Sequence, residues 1–155
     1  PTFRKIIPFT AYVEGWALYA ERLMWELGFH TDTFDDLGRL QDEIFRAARL
    51  VVDTGLHHKR WTRQQAIDYM VQTTGMAGAD IANEVDRYIV WPGQACSYKV
   101  GMLKILELRE RAKAALGAKF SLQDFHDVVL LDGALPLDIL QQRVERYVLA
   151  TGSKS

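Results

Sequence analysis

A single cysteine, Cys96, stands among 155 residues, so no internal disulfide can hold this fold. A disulfide-free chain of this size suits cytosol and periplasm alike, and the compartment stays open, periplasmic, secreted or cytoplasmic. An excess of charge of one sign is also missing. Nineteen lysines and arginines face 20 aspartates and glutamates, for a net charge of -1. That balance excludes a basic nucleic-acid arm, a polybasic membrane patch and a disordered acidic tail. No apolar run reaches the length of about 18 residues that a membrane-spanning helix needs. Strand-like alternation, internal repeats, low-complexity tracts and linkers are absent as well. The chain opens at Pro1 with neither an initiator Met nor a visible signal peptide, which reads as a boundary inside a longer protein.

What is present is an ordinary globular composition, 48% hydrophobic and 25% charged, in a length that suits one domain with a real core. The pattern predicts a single compact all-α domain of six to seven helices over residues 1–150, with a frayed tail at 151–155. Tyr12, Trp16, Tyr19, Leu23 and Leu27 recur at helical steps before Gly28. Thr33 with Asp36 resembles a capping box opening a second helix, whose expected buried stripe is Leu37, Leu40, Ile44, Ala47/Ala48 and Val51, with Gly55 as its end. Thr62 with Gln65 opens a third helix to about Thr74, and a short one begins at Asp80. After the Trp91-Pro92-Gly93 turn a long helix is expected from about Gln94 to Leu116. Ser121 with Asp124 caps another to about Leu131, and Pro136 suits the first turn of a last helix ending near Ala150.

The segment Glu14-Gly-Trp-Ala-Leu-Tyr-Ala-Glu21 carries the strongest chemical signal. From Phe9 to Leu27 the only charged residues are Glu14, Glu21, Arg22 and Glu26. A helix apolar nearly all round is a buried one, and a buried carboxylate needs a cation, a metal or several donors. Seven residues advance about 10.5 Å, so the two carboxylates share a face but are too far apart to hold one ion side by side. One can ligate while the other supports it from outside the coordination set. Residue type and spacing leave a second reading open, in which both pair with arginines of neighbouring helices.

Other residues offer weaker signals. His57, just past Gly55, is expected at a helix end, where it can donate to a developing oxyanion or lie on the surface beside His58. Tyr98 falls in the first turns of the long helix. A phenol keeps its proton at neutral pH and can donate to an oxyanion, or it packs in a helix interface. Arg87 can clamp a substrate carboxylate or form a structural salt bridge. Gln94 caps the long helix or binds peptide backbone, and Lys99 contacts substrate. His126 reads as a satisfied structural histidine and Cys96 as an inert thiol. Gly101 inside a helix points to close helix packing or close ligand approach.

Five ordered motifs between Phe9 and Tyr147 together resemble a known family. They are EGWALYAE (14–21), DTGLH (53–57), EVDRY (84–88) with PGQACSYKVG (92–101), FHD (125–127) and GALPL (133–137). The chain is similar to the bacterial family called domain of unknown function 885, which looks like a group of zinc metallopeptidases of the gluzincin type. The resemblance implies an HExxH helix upstream that supplies two zinc-binding histidines and a general base. Glu14 would then be the third protein ligand, Glu21 its support, His57 and Tyr98 the oxyanion donors, and Arg87, Tyr88 and Gln94 substrate-binding residues.

The departure from the pattern is as informative as the match. The chain contains no HExxH, and none of His30, His57, His58 and His126 has a partner four residues away. The expectation is therefore the C-terminal half of a zinc peptidase, acting on peptide substrates only with its missing N-terminal half, and binding zinc weakly or not at all alone. The removed half would expose apolar residues such as Trp16 or Tyr19 and invite homodimerisation. The rival reading is a non-catalytic helical module for structure or interaction.

Overall fold

The computed structural model describes residues 9–153, all of whose regular structure is helical. The helices are α1 (Thr10–Glu26), α2 (Thr33–His57), α3 (Arg63–Thr74), α4 (Gly78–Val90), α5 (Ser97–Leu116), α6 (Leu122–Leu130) and α7 (Leu137–Gly152), with a 3-10 turn at Gly117–Lys119. The expected all-α class is what forms. The first eight residues, and the last two of the tail expected at 151–155, lie outside the described residues.

Local chemistry explains most helix ends. Gly28 closes α1 in a left-handed conformation, φ 76°, with the Phe29 N–H returning to the Met24 carbonyl at 3.0 Å. Thr62 and Gln65 form the expected reciprocal capping box on α3, and Gly75 (φ 69°) ends it. The Ser121 side chain accepts from the Asp124 N–H to open α6. Elsewhere the boundaries move. The cap of α2 is Asp32, not Thr33, and its carboxylate accepts from the Phe34 N–H at 3.0 Å. Gly55 does not stop α2, which continues to His57. A side chain at position 55 would run into the Trp61 ring at 2.6 Å, so this glycine makes room for packing. α4 starts at Gly78, before Asp80, and α5 starts only at Ser97. Pro136 is the N-cap of α7, one position before its first turn.

The chain forms two compact units, residues 1–19 with 100–155 and residues 20–99. In the second, Phe45, Ala48 and Val52 of α2 pack with Met70 of α3 and Val85 and Tyr88 of α4 in one apolar cluster. The stripe expected to be buried on α2 is corrected here: Leu37, Leu40, Ile44 and Val51 are exposed. α2 carries two apolar stripes, and the core takes the one formed by Phe45, Ala48, Val52 and the half-buried Leu56.

In the first unit, α1 and α5 cross at backbone contact. A Cβ on Gly101 would collide with the Ala11 carbonyl oxygen and lie 2.7 Å from the Gly15 Cα; one on Gly15 would meet the Gly101 backbone. Close helix packing is thus the reason for Gly101. Tyr12 ties α1 down further, its hydroxyl donating to the Val129 carbonyl at 2.5 Å.

Candidate functional site

Glu14 sits on α1 one residue before the Gly15–Gly101 crossing. It is half-buried, and no described residue hydrogen-bonds or ion-pairs with it. Neither full burial nor arginine pairing, the two expectations for this carboxylate, is met among the described residues. The helix is not buried all round: Val13, Met24 and Trp25 are exposed. The expected exposure of Trp16 or Tyr19 is also corrected. Tyr19 is fully buried and Trp16 half-buried. Tyr19 is held by its hydroxyl, 2.8 Å from His126 Nε2 and 3.2 Å from Arg109 Nη1, and Trp16 meets the His126 ring edge-on at 5.4 Å. His126 is the satisfied structural histidine that its sequence context predicted. Burial, then the Arg109 charge, push its pKa down, against a smaller pull from Asp127.

The second unit holds the other candidates. Glu21 is half-buried and 4.0 Å from Arg46 Nη2. Burial raises its pKa, with Arg46 opposing. Tyr98 is half-buried beneath two guanidiniums, Arg49 at 5.1 Å and Arg46 at 5.7 Å from its ring centroid. Such cation–π contacts fix the ring and leave the phenol free. Its hydroxyl has no partner among the described residues.

Tyr88, by contrast, is fully buried. Its hydroxyl donates to Glu84 Oε2 at 2.8 Å and accepts from Arg49 Nε at 2.9 Å. Burial pushes its phenol well above the usual range. A group so enclosed orients its neighbours Arg49 and Glu84. Glu84 also receives Arg49 Nη2 at 2.9 Å and Arg87 Nη2 at 2.8 Å. Burial works to raise the Glu84 pKa, but the bonds from Arg87 and Tyr88 and the arginine charges outweigh it and leave it lowered. Arg87 additionally donates to Gln94 Oε1 at 2.8 Å, so Arg87 and Gln94 form one half-exposed polar surface.

His57 ends α2 with Nε2 3.0 Å from the Tyr88 carbonyl. A carbonyl only accepts, so Nε2 carries the proton and Nδ1 of the neutral ring is left an acceptor. His57 can donate to an oxyanion only as imidazolium. Lys99, read as a substrate contact, gives its ammonium to Glu43 at 2.5 Å. Cys96 is half-buried, its thiol pushed up to about 11 by burial and the neighbouring Asp53 carboxylate, consistent with an inert thiol.

Sequence reasoning passed over Arg49 and gave Asp53 no role beyond its place in the DTGLH motif. Both are buried charges on the inner stripe of α2. The Asp53 carboxylate accepts from the Gly93 N–H at 3.0 Å and so holds the turn that launches α5. Arg49 lies 4.3 Å over the Phe45 ring and four residues along the helix from it, and that spacing was the available signal. No group of three or more His, Cys, Asp or Glu side chains that could hold a metal ion occurs among the described residues. No described helix is long and apolar enough to cross a membrane.

Comparison with known proteins places these motifs in context. Residues 1–144 match the model of a family described as "Bacterial protein of unknown function (DUF885)". No curated protein matches the sequence. Among solved structures, "the putative lipoprotein from Colwellia psychrerythraea" superposes with a TM-score of 0.94 at 60% identity. The match covers 97% of this chain and 26% of that one, so these residues span about a quarter of the length of that relative.

Proposed function

Starting from the fact that the chain belongs to the bacterial DUF885 family, we propose that it is part of a zinc-dependent peptidase in which Glu14 is a metal ligand. The observation that carries this reading is the Glu14 carboxylate, half-buried with no cation or donor among the described residues. Its oxygens are therefore open to a cation supplied from outside these residues. Two histidines and one glutamate with an open fourth position form a catalytic zinc set. The histidines and the general base would come from residues beyond this sequence, which contains no HExxH. Zinc, when bound, polarises a carbonyl and activates water.

The family resemblance gives the remaining roles to other residues of this chain. Tyr98, clamped by two guanidiniums and with no hydroxyl partner among the described residues, donates to the carbonyl oxygen as charge develops there. Arg87 and Gln94 present joined donors to peptide backbone or a terminal carboxylate. Glu21, with its raised pKa, is the supporting carboxylate outside the coordination set. His57 assists only when doubly protonated. Peptide hydrolysis by the full natural chain containing these residues tests the reading. Glu14→Gln is expected to lower kcat/KM by about 100-fold or more, and Tyr98→Phe to lower kcat by about 10- to 100-fold with metal retained. Undiminished hydrolysis by Glu14→Gln would overturn it.

A further inference from the structure

α2 presents an uncovered apolar face to the outside of the second unit. Phe34, Leu37, Leu40, Ile44 and Val51 are 79%, 60%, 48%, 42% and 38% exposed, and their steps of three, four and seven residues place them on one side of the helix. The stripe is about 25 Å long. That length matches a helix of about 17 residues. Part of it forms the floor of an open groove of 660 Å³. Leu37, Leu40, Ile44 and Ala47 make its apolar lining, while Thr73 and Thr74 at the end of α3 and the Glu43–Lys99 ion pair give it polar edges. An apolar centre with a polar rim is the anatomy of a protein interface. Because Glu43 and Lys99 already satisfy each other, the groove asks its occupant for apolar contact and not for charge.

The relative that is 60% identical over 97% of this chain is about four times as long. A chain of that length carries ample additional fold to cover the face. We infer that the outer stripe of α2 is an internal interface, covered by an amphipathic helix from a part of the natural chain outside these 155 residues. The helix lies along α2 with its own apolar positions at three- and four-residue spacing. This surface does not depend on zinc, so its test and that of Glu14 fail separately.

Cysteine labelling decides the matter. Leu40→Cys and, separately, Phe34→Cys are introduced into the full natural chain, and the unsubstituted chain gives the background rate of its own thiols. Their reaction with a maleimide is timed in the folded protein and in the same protein unfolded in urea. The inference expects both to react at least about 100-fold more slowly when folded, at every protein concentration. Rates within a few-fold of the unfolded chain would overturn it. So would protection that disappears on dilution, which would make the occupant a second copy. A natural gene product with no residues beyond these 155 would overturn it as well.

Discussion

At the scale of the single residue, chemistry sorted the candidates by who already holds their polar atoms. Tyr88 and Tyr98 lie ten residues apart, and both looked available in sequence. One is sealed and shared between Arg49 and Glu84; the other lies under two arginines, its hydroxyl without a partner among the described residues. Sequence could not separate them, because the difference rests on Arg49 reaching across from α2. His126 gives a stability prediction at this scale. Its folded pKa lies below the usual value, so the unfolded chain takes up that proton at a higher pH than the folded one. Stability is therefore lost as pH falls through the ordinary histidine range near about 6.5. Melts at pH 7.5 and 5.5 should show a smaller drop in Tm for His126→Gln, which can still bond the Tyr19 hydroxyl, than for the wild type. Equal drops would take this imidazole out of the acid response.

At the scale of the helix, the capping chemistry of α3 and α6 was readable because it is local: Thr62 with Gln65 and Ser121 with Asp124 need only their own neighbours. α2 was misread for the opposite reason. It has apolar residues on two sides, and periodicity alone does not say which side meets the core. Polar residues marked the inner face, since Arg49 and Asp53 are buried there to bind Glu84 and Gly93. The crossing of α1 and α5 was half-visible, as Gly101 in mid-helix demanded an explanation, but its partner Gly15 is a contact distant in sequence. Gly101→Ala should cost about 3 kcal/mol in chemical denaturation, because the new methyl meets backbone that cannot rotate away. A loss below about 1 kcal/mol would mean that the two helices slide apart easily.

At the scale of the whole molecule, five short motifs were enough to identify the family, and helical periodicity was enough for the fold class. The ligands proposed to join Glu14 and the cover proposed for α2 could not be read, because both proposals place them outside these 155 residues. The chain spans about a quarter of a relative that is 60% identical to it, and its best-placed acid, Glu14, has no counter-charge among the described residues. The central claim is that this acid completes a metal site. Zinc bound per molecule of the full natural chain, measured by metal analysis after dialysis at fixed free zinc, tests it most directly. The account predicts about one zinc for the wild type and a loss of affinity of about 10-fold or more in Glu14→Gln, with the helical content unchanged. Equal zinc in both proteins, or none in the wild type, would contradict it.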